Sequence, residues 1–181
     1  MKPPQVRILA GRWKGRRLAS GRAARSTSSR ARAALFDLLG EGIAGARFLD
    51  LYAGTGAVGF EAVSRGASAA ILVEPAAGPL RQTAERVRAA PSEIAIRAEP
   101  AARAARSLER AGERFDVVFA DPPYAEGLEA AVRAAVAGLL SPKGVFVLQQ
   151  DEGQDPPEIE GLEVRQRRAY GRNVFFFFGM R

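Results

Sequence analysis

Neither cysteine nor histidine occurs anywhere in this 181-residue chain. Without them there is no disulfide, no thiolate or imidazole metal ligand, and so no Cys/His zinc site. The thiolate nucleophile that attacks a pyrimidine ring before carbon methylation is missing. Ser-His-Asp and Cys-His catalysis lack their base. Chemistry must therefore come from carboxylates, amides, backbone groups, Tyr, Lys or Arg. Long apolar runs are also missing, none approaching the ~20 residues of a membrane span. The basic N-terminus is not followed by the apolar stretch of a signal peptide. A cytoplasmic protein, with no membrane association and no metal, is expected.

Acidic residues are absent from the first 32 positions, which carry ten basic ones: Lys2, Arg7, Arg12, Lys14, Arg16, Arg17, Arg22, Arg25, Arg30 and Arg32. The whole chain has a net charge of +7, so everything after that block is mildly acidic. A one-sided basic segment fits a polyphosphate partner. A merely solvated basic tail is the alternative, but Trp13 and several glycines interleave with the charges. Arginine's planar fork suits phosphates and base edges. Hydrophobic residues make up 47% and charged ones 26% of the chain, enough for one domain with a full core.

Taken in order, Val6 to Ala10 and Arg16 to Ala19 flank Gly11-Arg12-Trp13-Lys14-Gly15 and predict a short β-hairpin. Ser26-Thr27-Ser28 offers hydroxyl caps for a helix beginning near Ser29. Arg30 and Arg32 fall in its first turn, where the helix dipole disfavours cations, which suggests service to an anion. Apolar runs at Arg47 to Leu51, Ala70 to Val73, Ile94 to Arg97, Phe115 to Ala120 and Val145 to Leu148 predict buried strands. Helical segments separate them, at Ala57 to Arg65, Leu80 to Ala89, Ala101 to Arg110 and Leu128 to Leu140. Ser141-Pro142-Lys143-Gly144 predicts a turn. The alternation implies an α/β fold with a mostly parallel sheet and helices on both faces. Leu162 to Arg168 and Asn173 to Met180, joined by a short connection, predict an antiparallel pair. Phe175 to Phe178 fit a strand buried on both faces.

Three strand ends carry the chemistry. Gly54-Thr55-Gly56-Ala57-Val58-Gly59 satisfies G-x-G-x-x-G between a strand and a helix, and Glu74 follows 20 residues after Gly54. That spacing suits a dinucleotide, with the acid accepting hydrogen bonds from its ribose hydroxyls. Asp50 tips the reading toward S-adenosylmethionine, because an anion before the loop suits a sulfonium and an ammonium better than a pyrophosphate. Asp121-Pro122-Pro123-Tyr124 ends the fourth strand, at the sheet edge where open α/β folds bind ligands. Asp and Pro are also ordinary turn residues. A site that modifies an amine uses a fixed acceptor, carbonyls without competing N–H groups, and a ring for stacking.

Asp50-Leu51-Tyr52-Ala53-Gly54-Thr55-Gly56 resembles motif I of class I methyltransferases, and Asp121-Pro122-Pro123-Tyr124 their D/N-P-P-Y/F motif. The stretches Val6 to Arg16 and Arg25 to Phe36, with Tyr170-Gly171-Arg172-Asn173, narrow the resemblance. They are similar to the bacterial 16S ribosomal RNA guanine-N2 methyltransferase family. The resemblance covers nearly the whole chain. It implies a Rossmann-like seven-stranded sheet, S-adenosylmethionine as cofactor and 16S rRNA as partner, within a small-subunit particle or assembly intermediate, for a monomeric enzyme. Residues 1–25 would be an RNA-binding hairpin extension and 26–181 the methyltransferase domain. The cofactor would meet Asp50, Tyr52, Ala53, Gly54, Thr55, Gly56 and Glu74, with Ala98 and Glu99 near adenine. RNA would meet Arg7, Arg12, Trp13, Lys14, Arg16, Arg17, Arg25, Arg30 and Arg32. Asp121 and the Pro122 carbonyl would accept the two hydrogens of the guanine amine, Pro123 would stiffen the backbone, and Tyr124 would stack on the base. Ser26, Ser29 and Ala33 depart from the family pattern in the N-terminal lobe. The four-residue motif alone equally permits adenine-N6 or cytosine-N4 methylation of DNA. A ribosome-assembly factor without activity is the reading from another class.

Overall fold

Strand and helix alternate between Arg47 and Asp151, as the spacing of apolar runs requires. The computed structural model describes residues 6–19, 27–123 and 127–181. Its parallel strands are β1 (Arg47–Asp50), β2 (Ala69–Val73), β3 (Ile94–Arg97), β4 (Phe115–Ala120) and β5 (Leu140–Asp151). The helices are α1 (Ser29–Leu39), α2 (Ala57–Ser64), α3 (Gly78–Val87), α4 (Ala101–Arg110) and α5 (Ala130–Val136). Among the described residues, no helix is long and apolar enough to cross a membrane. β6 (Leu162–Tyr170) and β7 (Asn173–Met180) complete a seven-stranded sheet in the order β3-β2-β1-β4-β5-β7-β6. β7 pairs antiparallel with both β5 and β6, and the other pairings are parallel. The mostly parallel sheet with an antiparallel end, read from the sequence, is the sheet the chain forms.

Two hydrophobic layers sandwich it. Phe48, Val117, Phe119, Val147, Phe175 and Phe177 face α1, α2 and α3, whereas Leu49, Val118, Phe146, Leu148, Phe176 and Phe178 face α4 and α5. The run of four phenylalanines thus divides by the period of two, with all four rings buried. Several boundaries differ from the sequence expectation by a few residues, and β5 differs most. β5 begins at Leu140, and Ser141 to Gly144 form an irregularity inside it, between the pairs Phe115–Leu140 and Val117–Val145. Ser141 Oγ donates to Asp116 Oδ1 at 2.8 Å, so the turn chemistry is real but is absorbed by the ladder.

The N-terminal hairpin is reduced to its minimum. One bridge joins Arg7 and Arg17, flanked by backbone bonds from Ile8 N–H to Arg16 O, Gly15 N–H to Ile8 O and Leu18 N–H to Val6 O. It docks mainly on α2, with further bonds to α3 from Ala19 N–H to Thr83 Oγ1 at 2.9 Å and from Arg86 Nη1 to Arg17 O at 3.0 Å. Ile8, Trp13 and Leu18 are buried in the same cluster as Phe60 and Val63. The Trp13 amide donates to Ser64 Oγ at 2.9 Å, Arg12 N–H to Ser64 O at 2.9 Å, and the Ser64 hydroxyl to Ala10 O at 2.6 Å. Gly11, at φ +79°, sits so close that an added Cβ would lie 1.7 Å from the Ser64 carbonyl oxygen. Gly11→Ala should cost about 2–4 kcal/mol from steric overlap and left-handed backbone together. Gly15→Ala, at φ +80° with no atom within 4 Å of the new Cβ, should cost only the conformational part, about 1 kcal/mol. Urea midpoints measure the contrast; equal losses would mean that hairpin docking adds nothing to stability.

Candidate functional site

The sheet order reverses between β1 and β4: chain segments after β1 run outward to β2 and β3, and β4 returns on the other side of β1. Open α/β sheets place ligands at such a switch point, beyond the carboxyl ends of the strands. A cavity of about 550 Å³ lies there. Its walls include Asp50 and Tyr52 to Thr55 after β1, Glu74 after β2, Pro100 and Ala101 before and at the start of α4, and Asp121 to Pro123 after β4.

Asp50 is 1% exposed. Its Oδ2 accepts from the Gly59 amide at 3.2 Å, while Oδ1 is buried without a hydrogen-bond partner among the described residues. Burial pushes its carboxyl from the ordinary 3.8 up to about 7, against the pull of the Gly59 and Tyr52 N–H groups and with help from the negative charges of Asp121 and Glu74. A buried acceptor without a partner beside a cavity is a site prepared for a donor or a cation. Glu74 Oε2 accepts from Gly54 N–H at 3.1 Å and Oε1 from Ala76 N–H at 3.0 Å, which fixes the acid on the rim. Gly56 is left-handed at φ +79° and opens α2; a Cβ there would lie 2.6 Å from the Phe60 ring. Its task is packing, and it does not line the cavity, whereas Gly54 and Thr55 do. Ala98 and Glu99 also stay off the wall: Ala98 is exposed and Glu99 pairs with Arg97 at 2.9 Å and Arg103 at 3.3 Å. Their neighbours Pro100 and Ala101 line the cavity instead.

Asp121, Pro122 and Pro123 all border the cavity, with Pro122 the buried member of the three. Tyr124 lies outside the described residues. Thr27 is legible in the sequence only as a helix-cap candidate. The fold brings its hydroxyl to 3.3 Å from Asp121 Oδ2 and 3.1 Å from Gln149 Oε1. Glu129 is a further wall residue without a sequence signal, and it accepts from the Tyr52 hydroxyl at 3.2 Å.

The basic block divides. Arg7, Arg12, Lys14, Arg16, Arg17 and Arg30 are exposed, and Arg25 lies outside the described residues. Arg12 is held by Glu93 at 2.7 Å and lies 4.3 Å from the Trp13 ring centroid. The Ala90 amide and then Arg12 keep the Glu93 carboxyl below its usual range. Two expectations are corrected. Trp13 is only 8% exposed and packs edge-on to Phe60, so its ring serves the core and is closed to a base. Arg32 is fully buried, with Nε 2.7 Å from Glu61 Oε2 and Nη2 donating to Arg7 O at 2.6 Å. It does serve an anion, but that anion is Glu61, which also pairs with Arg65 at 2.9 Å and accepts from Leu9 N–H at 3.2 Å. No pattern in the sequence marks Glu61, on a helix buried along its whole length, as this hub.

With this geometry in place, comparison with known proteins adds four findings. A family model described as conserved hypothetical protein 95 matches residues 6–179. Ribosomal RNA small subunit methyltransferase D of Escherichia coli K12 is 35% identical over 130 residues, 68% of this chain and 63% of its own length, so the match spans less than two thirds of that relative. The putative rRNA methyltransferase YlbH of Bacillus subtilis is 30% identical over 175 residues, covering 92% of this chain and 94% of its own. Among solved structures, a hypothetical protein of Thermus thermophilus superposes with a TM-score of 0.82 at 35% identity, covering 97% of this chain and 99% of that one.

Proposed function

From the premise that this chain belongs to the conserved hypothetical protein 95 family, we propose that it is an rRNA methyltransferase, which moves a methyl group from S-adenosylmethionine to the exocyclic N2 amine of a guanine in 16S rRNA. The observation that carries the reading is the meeting of Asp121 and Pro122 with the glycine loop, Asp50 and Glu74 around one cavity at the switch point. The cavity's size is that of a small-molecule site. The buried Asp50 carboxyl, whose Oδ1 has no hydrogen-bond partner of good geometry among the described residues, fits a cationic ligand, and Glu74 on the rim fits ribose hydroxyls. S-adenosylmethionine, when bound, supplies an electrophilic methyl group on a sulfonium.

The protein's share is alignment and electrostatics. A guanine amine is a poor nucleophile because its lone pair is delocalised into the ring. Asp121 and the Pro122 carbonyl accept its two hydrogens, which turns the lone pair toward the methyl group and stabilises the positive charge that grows on nitrogen. Prolines at 122 and 123 remove two competing N–H donors. The exposed cations of the hairpin and Arg30 hold phosphates, with residues 1–25 as the RNA-gripping part and 26–181 as the catalytic part. Affinity for RNA then falls steeply with salt.

Asp50 makes cofactor binding depend on pH. Its folded pKa of about 7 is above the ordinary 3.8, so the free protein keeps a proton there that the unfolded chain has released, and the group's contribution to stability is lost as pH rises from about 4 to about 7. A cationic ligand takes only the ionised form. Cofactor affinity should therefore climb up to about tenfold per pH unit below about 7 and level off above it. Calorimetry in buffers of different ionisation enthalpy counts the proton released; a flat affinity with no proton release would detach Asp50 from the ligand.

The function is tested with labelled cofactor offered to undermodified small subunits, naked 16S RNA and DNA, followed by mapping of the modified nucleotide. Label on a guanine N2 of 16S RNA is expected. Label on DNA alone overturns the RNA reading, and cofactor binding without transfer favours an assembly factor.

A further inference from the structure

Asp121 can hold an amine only if its carboxylate plane is fixed, and a side chain from the N-terminal end of the chain reaches it. Resting on the function proposed above, we propose that Thr27 is the positioning residue of Asp121, and that Gln149 and Asn173 set the direction in which its hydroxyl points. Thr27 is 7% exposed and stands just before α1. Its backbone carbonyl accepts from Arg32 Nη1 at 3.5 Å, so the residue is tied to the buried Arg32–Glu61 pair. Gln149, on β5, is 2% exposed and its Nε2 donates to Asn173 Oδ1 at 3.1 Å.

A threonine hydroxyl has one hydrogen. Here it faces two oxygens, Asp121 Oδ2 at 3.3 Å and Gln149 Oε1 at 3.1 Å, and it can donate to one at a time. Two arrangements satisfy the row. In one, Gln149 gives its N–H to Asn173 and turns its oxygen to Thr27, which donates to it. In the other, both amides are turned over: Asn173 donates to Gln149, Gln149 donates to Thr27, and the hydroxyl hydrogen goes to Asp121. Only the second gives the carboxylate this bond, and it also favours its charged form. Arrival of an amine that needs an ionised, oriented acceptor selects it. The amides move a choice made at β7 across the sheet to the reacting nitrogen without any backbone motion.

Thr27→Val keeps the shape and removes the hydroxyl. Turnover should fall about 10- to 100-fold, the worth of one hydrogen bond to a charged group. Calorimetric cofactor affinity should stay within about twofold, and Thr27→Ser should restore turnover to within about threefold, because it returns the same bond. Asn173→Asp is the second arm. An acceptor-only side chain there keeps the Gln149 N–H turned toward β7 and draws the Thr27 hydroxyl off Asp121, so turnover should fall about tenfold, with cofactor affinity again unchanged. Unchanged turnover in Thr27→Val overturns the inference, as does a loss shared equally with cofactor binding. If the valine variant does not fold, Asn173→Asp decides alone, and wild-type turnover there overturns it. A wild-type protein that binds cofactor yet labels no RNA overturns the proposed function instead.

Discussion

Asp121→Ala should lower methyl transfer by a factor of about 10² to 10³, the range seen when one preorganised polar group is removed from a developing charge. Cofactor affinity should change by no more than a few fold. The split follows from position. Asp121 follows β4, on the opposite side of β1 from β2 and Glu74, and its proposed partner is the amine. Its charge also pushes the Asp50 carboxyl up, so its removal lets Asp50 ionise more readily, which favours a cationic ligand. Single-turnover transfer and calorimetric binding separate the two effects. Comparable losses in both would make Asp121 a structural residue and shift the search for the amine's acceptor elsewhere.

The second large effect is on stability. Glu61→Ala should cost about 3–5 kcal/mol, because it leaves the buried Arg32 guanidinium without its counter-charge. For a chain of this size that lowers the melting temperature by roughly 10 °C. Glu61 is fully buried and serves Arg32, Arg65 and the Leu9 amide together. Arg65 is 20% exposed and can turn to water, but Arg32 has no such exit. The double variant Arg32→Met with Glu61→Leu should therefore recover most of the loss, since a buried pair replaced by apolar groups is often neutral. Urea midpoints of the three proteins settle it. A single-variant loss below about 1 kcal/mol would show that the pair is far better hydrated than its burial implies.

Most of the fold is written in short-range pattern. The period of two in Phe175 to Phe178 and the apolar runs ending at Asp50, Glu74 and Asp121 need no tertiary information to place them on strands and at strand ends. The Ser28 cap of α1 is legible too, and its side chain accepts from Ala31 N–H. What escapes the sequence depends on pairings between distant segments. Arg32 reads as a phosphate ligand until Glu61, 29 positions later, is found against it. Trp13 reads as an RNA contact until Phe60 is found packed against its ring. Thr27 can be seen only as a cap, because Asp121 is 94 positions away. Charge and aromaticity in a sequence say what a side chain can bind, and only the fold says whether the chain has already taken it.

The docking of the hairpin on α2 has a metric consequence. α2 is eight residues long, about 12 Å from end to end. The glycine loop opens it at Gly56, and Ser64 at its other end carries the bonds to Ala10, Arg12 and Trp13. One short, wholly buried helix therefore works as a gauge block between the hairpin's cations and the cavity. Adding a residue to it would displace the hairpin by about 1.5 Å and swing it by about 100° around the helix axis. Under the proposed function, the reach from a gripped phosphate to the reacting base would be set by that integer number of residues, before any RNA arrives.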